Sequence, residues 1–184
     1  MGNNRSVFSE DELQDYEDLT YLTRKEILLA WRRWTELVGS NVESDKITRY
    51  PEETIQELPE LKNNPFKDRI TRVFSSAQDS RISFEDFLDL LSVMSDKAPL
   101  HLKAHYAFHI FDYNEDRSLD EEDLQTVVEK LTGGDPGLLQ KEKTKLVDRL
   151  LEETDLDGGG ISEEEFKHLL TKCPDFVHSF RFSL

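Results

Sequence analysis

The chain has 184 residues, 36% of them hydrophobic, enough to bury one sizeable core or two small ones of roughly 90 residues each, and two lobes is the expected division. A formal charge of -16 argues against nucleic acid, whose phosphates need clustered Lys and Arg, and favours cations and basic partner segments. Cys173 is the single cysteine, which excludes an internal disulfide and a thiolate zinc cage and fits a reducing compartment.

Met1-Gly2-Asn3-Asn4-Arg5-Ser6 matches the N-myristoylation pattern, with Gly2 as the acceptor once Met1 is removed. One acyl chain anchors marginally, and the acidic run that begins at Glu10 is repelled by an anionic leaflet, so any membrane association is expected to be reversible. No stretch approaches the roughly 18 to 20 apolar residues of a membrane span, and no apolar secretory signal opens the chain. A cytoplasmic protein is expected, peripheral on the cytosolic face of membranes.

Ser9-Glu10-Asp11-Glu12 and Thr23-Arg24-Lys25-Glu26 read as capping boxes that start two helices. In the second, Ile27, Leu28, Trp31, Trp34 and Val38 recur at helical spacing, and the tryptophans read as core. Residues 40 to 50 are polar and irregular, and Pro51 and Pro65 sit where first helical turns tolerate proline, starting short helices through Leu58 and Phe74.

Ser75 to Asp86 has the outline of a calcium-binding EF-hand loop whose metal site has eroded. Ile82 and Asp86 hold positions 8 and 12, but positions 1 and 3 are Ser75 and Ala77, leaving too few carboxylates for a divalent ion. An exit helix over 84–95 follows, and Asp96-Lys97-Ala98-Pro99 is the expected lobe boundary. On the next helix His101, His105 and His109 recur at four-residue steps. Stacked imidazoles suit zinc or a pH response, but a polar helix face accounts for them more simply.

Asp112 to Asp123 then places oxygen-bearing side chains at loop positions 1, 3, 5, 9 and 12. Asp112, Asn114 and Asp116 supply side-chain oxygens, Ser118 its carbonyl, Asp120 a direct or water-bridged ligand, and Asp123 the closing carboxylate. Arg117 replaces the usual glycine at position 6, at a cost of roughly 1 kcal/mol in a left-handed conformation. Asp123 replaces the usual bidentate glutamate, and the shorter side chain lets six-coordinate Mg2+ compete better with Ca2+.

Leu124, Val127, Val128 and Leu131 mark the exit helix, which Gly133-Gly134-Asp135-Pro136-Gly137 stops. Leu146, Val147, Leu150 and Leu151 form the next amphipathic helix. Asp155 to Glu165 is a second loop of 11 residues where 12 are needed. The best compromise pairs Ile161 with Leu119 and puts the gap after Gly160, so that Asp155, Asp157 and Glu165 remain as weak or absent Ca2+ ligands. A last helix carries Phe166, Leu169 and Leu170, and an apolar tail follows with Phe176, Val177, Phe180, Phe182 and Leu184.

Asn64-Pro65-Phe66-Lys67-Asp68-Arg69-Ile70, Ser83-Phe84-Glu85-Asp86-Phe87, Tyr106-Ala107-Phe108, Asp123 and Pro174-Asp175-Phe176, with the myristoylation start, resemble the calcium- and integrin-binding protein (calmyrin) family. The resemblance implies an all-α fold of paired EF-hand helix-loop-helix lobes. Of its four EF-hands the N-terminal two are degenerate, and a C-terminal tail follows. It further implies a non-enzymatic adaptor for integrin alpha cytoplasmic tails and certain kinases, with the tail able to occupy the partner groove. The corresponding division is an N-terminal extension over 1–22, a metal-free lobe over 23–96, a metal-binding lobe over 97–172 and the tail over 173–184.

Helix-in-groove recognition is the expected mechanism, with Ile110, Val127, Leu131, Leu150 and Leu170 as groove candidates. A calcineurin B-like regulatory subunit and a calcium buffer are the alternatives, although both are expected to carry more intact loops. No nucleophile elbow, P-loop or Cys-His pair suggests an enzyme.

Overall fold

The computed structural model describes residues 7–39, 46–133, 140–156, 158–173, 175–176 and 180–182. Gly2, Asp157, Val177 and Leu184 therefore lie outside the described residues. The order is α1 (Glu10–Leu19), α2 (Arg24–Val38), β1 (Tyr50–Pro51), α3 (Glu52–Gln56), α4 (Pro59–Lys62), α5 (Lys67–Phe74), β2 (Arg81–Ile82) and α6 (Phe84–Val93). Then come α7 (Leu100–Phe111), β3 (Ser118–Leu119), α8 (Glu121–Leu131), α9 (Gln140–Thr154), β4 (Ile161–Ser162) and α10 (Glu163–Thr171).

Each two-residue strand lies between two helices, and the strands pair antiparallel as β1 with β2 and β3 with β4. Tyr50 faces Ile82 in one ribbon and Leu119 faces Ile161 in the other. The result is helix-loop-helix hands joined two by two, the EF-hand architecture the loops imply.

Local chemistry sets the helix starts. Ser9 with Glu12, Thr23 with Glu26, Ser83 with Asp86 and Ser162 with Glu165 each form a reciprocal capping box, satisfying amides that a first helical turn leaves orphaned. The short helices differ from expectation. Pro59, rather than Pro51 or Pro65, occupies a first helical position, so the segment from Pro51 breaks at Glu57 and restarts as α4. Pro65 precedes the Phe66 cap of α5.

Burial divides into two clusters. The first joins Ile27, Trp31 and Trp34 of α2 to Phe84, Phe87 and Leu91 of α6, and it also takes Ile110 and Val127. Trp31 meets Phe84 edge-on, with centroids 4.8 Å apart; both tryptophans are core, as their spacing predicted. The second cluster joins Ala104 and Phe108 of α7 to Leu124, Val147, Ile161, Phe166 and Leu170. Phe111 and the tail residue Phe180 pack against both clusters. Among the described residues no helix is long and apolar enough to cross a membrane.

Candidate metal centre

Loop positions 4 and 6 turn through the left-handed region in three hands: Gln78 and Ser80 at φ 52° and 55°, Glu115 and Arg117 at 61° and 72°, Gly158 and Gly160 at 82° and 86°. This shared backbone signature fixes the register of all three loops. Arg117 adopts the strained conformation its position predicts.

In the 112–123 loop, Asp112 Oδ2 accepts from the Arg117 amide at 3.0 Å and Asp123 Oδ1 from the Tyr113 amide at 2.8 Å. Asp112 Oδ1 and Asp123 Oδ2 are buried and have no hydrogen-bond partner. Carboxylate oxygens of Asp112, Asp116 and Asp123 lie within 4.8 Å of one another. Buried anionic oxygens without donors are costly, and a hard cation at their centre removes that cost, so the residues fit a divalent ion. Burial pushes the Asp123 carboxyl up, and neighbouring Asp120 adds to this against the loop amides that oppose it. Asp116 accepts from the Ser118 amide, Asn114 from that of Asp116, and Asp120 caps α8 through the Glu122 and Asp123 amides.

An arginine absent from the expected ligand set braces this loop. Arg69 of α5, 7% exposed, donates to the carbonyls of His109 at 2.8 Å, Ile110 at 3.4 Å and Asp112 at 2.5 Å. It closes the C-terminal end of α7, where carbonyls otherwise lack donors. Arg69 and Arg72 also hold Glu115, and these two guanidinium contacts lower its carboxyl to about 2.

The 155–165 loop repeats part of the pattern. Asp155 Oδ2 accepts from the Gly160 amide at 3.0 Å, and Glu165 Oε1 from the Leu156 amide at 2.9 Å. These match the Arg117-to-Asp112 and Tyr113-to-Asp123 bonds. With Ile161 opposite Leu119, the missing residue falls after Gly160, as expected, at the position where Ser118 offers its carbonyl in the neighbouring loop. The Ser118 hydroxyl instead donates to the Gly159 carbonyl at 2.8 Å, and a Cβ on Gly160 would collide with that hydroxyl.

The eroded 75–86 loop holds a cation of its own. Arg49 lies 26 residues before Ser75 in the chain, and its guanidinium donates to Ser75 Oγ at 3.2 Å, Asp79 Oδ1 at 2.9 Å, the Arg81 carbonyl at 2.7 Å and Asp86 Oδ2 at 2.9 Å. These are loop positions 1, 5, 7 and 12, the places from which an EF-hand ligates calcium. The Arg49 hydrogen bond, ahead of charge attraction, lowers the Asp79 carboxyl.

The groove candidates lie at different depths. Ile110, Val127 and Leu170 are buried, 1%, 8% and 6% exposed, because they pack the hands together; Leu150 is half-buried and Leu131 is 64% exposed. The tail lies over the clusters: Lys103 Nζ donates to the Phe180 carbonyl at 2.7 Å and the Phe182 amide to the Met94 carbonyl at 3.0 Å.

The EF-hand domain pair family matches residues 102–171, which contain both acidic loops. Over the full length of both chains the sequence is 40% identical to human "Calcium and integrin-binding family member 3" and 38% to human "Calcium and integrin-binding family member 2". It is 39% identical, again over both full lengths, to the Drosophila melanogaster protein named "Calcium and integrin-binding family member 2".

Proposed function

The chain belongs to the calcium and integrin-binding family, and on that footing we propose that it is a non-enzymatic adaptor that holds a divalent cation in the 112–123 loop and binds amphipathic helical segments. Calcium is the cation that the relatives' names give, and magnesium competes for the same oxygens because Asp123 closes the loop with a shorter arm. Integrin alpha cytoplasmic tails are the first partner class, and kinases a second.

One observation carries the adaptor reading. Phe180 packs against both core clusters while Lys103, itself buried, grips its carbonyl. A tail so placed is a built-in occupant of the surface that an incoming amphipathic helix needs. Displacement would leave Phe111 and its neighbours uncovered as the anchor site. Metal in the 112–123 loop orders the end of α7 and the start of α8 beneath that surface. Gly2 fits a myristoyl acceptor that would bring the adaptor reversibly to membranes.

The test is calorimetric titration of an integrin alpha-tail peptide into the calcium-loaded chain and its Phe180→Ala variant. Tighter binding by the variant supports a competing tail. Equal or weaker binding by the variant, or no binding by either protein, refutes it.

A further inference from the structure

His105 and His109 precede the 112–123 loop on α7 and Glu163 opens α10, and none of the three belongs to the calcium ligand set. His105 and His109 stand one turn apart on α7, with ring centroids 4.6 Å apart and planes at 82°. Glu163, the first residue of α10, puts Oε1 2.7 Å from His105 Nδ1. One ligand atom from each of the three residues lies within 4.8 Å of the other two, and all three residues are half-buried. His101, a turn earlier, is exposed and does not join them.

A hydrogen-bonded structural pair accounts for His105 and Glu163 but leaves His109 over. Its ring touches His105 and Phe108 edge-on and makes no hydrogen bond among the described residues. Burial, then the neighbouring His105, lowers the His109 imidazole below its usual value, which keeps it in the neutral form that ligates metals. Lys167 Nζ, 2.8 Å from Glu163 Oε1, and nearby Arg117 oppose a cation; Asp112 and Glu163 favour one.

We propose that His105, His109 and Glu163 form a second metal site, selective for Zn2+ or a similar divalent transition metal. Two imidazoles at helical spacing and one carboxylate make an N2O donor set with a fourth position open to water. Calcium, which takes six to eight oxygens, is not suited to it, whereas the all-oxygen 112–123 loop is not suited to zinc. The site ties the entering helix of one hand to the exit helix of the other, so an ion there clamps the hand pair beside the calcium loop.

Co2+, whose visible absorption reports tetrahedral nitrogen and oxygen ligation, and Zn2+ are titrated into the full calcium-loaded chain. Expected is one equivalent of Co2+ absorption, displaced by Zn2+ and lost in both His105→Ala and His109→Ala. It persists in Asp112→Ala and in Cys173→Ser, which removes the exposed thiol. Circular dichroism checks that the histidine variants are folded, and Glu163→Gln serves in place of either one that is not. Absent absorption, or absorption that survives loss of His109 or Glu163 but disappears with Cys173 or Asp112, overturns the site.

Discussion

Arg49 and Asp86 form an ion pair at 2.9 Å inside the second hand, with Asp86 3% exposed. The guanidinium stands where the loop geometry would centre a metal, so this hand keeps its closed shape with a cation that cannot dissociate. Arg49→Ala leaves a buried carboxylate without its partner and is expected to destabilise the chain by about 3 kcal/mol. Arg49→Lys restores little of it, because one ammonium cannot span the spread of acceptors that the planar fork reaches. Urea unfolding of the three proteins tests this, and equal midpoints would dismiss the internal cation.

Glu12 carries a pH signature. The Lys46 ammonium 2.6 Å away, then the Ser9 amide, lowers its carboxyl from 4.5 to about 2. The folded value lies below the unfolded one, so the stabilisation is present above about pH 4.5 and is lost as pH falls toward 2. Melting curves should show wild type above Glu12→Gln at pH 6, with the gap closing in that acid window; a constant gap would contradict it.

Gly160 has two reasons to be glycine, a φ of 86° and the Ser118 hydroxyl against its α-carbon. Gly160→Ala should cost about 1–3 kcal/mol. Gly158→Ala has a similar φ but open space, so its loss should be smaller. Thermal unfolding of both variants ranks them, and the reverse order would exclude the close approach as the cause.

Arg69 links α5 to the metal loop through three carbonyls. Arg69→Ala removes those donors and should weaken divalent-ion binding at Asp112 while costing about 2 kcal/mol of stability. Calorimetry with Ca2+ on wild type and variant reads the first effect. Unchanged affinity would confine Arg69 to packing.

The sequence makes legible what is local. Side chains at fixed spacing identified the 112–123 loop, and the Leu119–Ile161 pairing located the missing residue of its neighbour. What it concealed is tertiary. Nothing in residues 75–86 announces that Arg49 fills their centre, because the two meet only when β1 pairs with β2. The helical step of His105 and His109 was visible, but Glu163 arrives from another hand. Apolar periodicity marked Ile110, Val127 and Leu170, but not that Phe180 packs against the clusters to which they belong.

Asp112 Oδ1 and Asp123 Oδ2, buried and without a hydrogen-bond partner, mark the 112–123 loop as the proposed cation site. Calorimetric titration of Ca2+ into wild type and Asp112→Ala, with and without Mg2+, tests it most directly. A single site, weakened by Mg2+ and abolished by Asp112→Ala, is the predicted result. Two independent calcium sites, or one that survives Asp112→Ala, would contradict it.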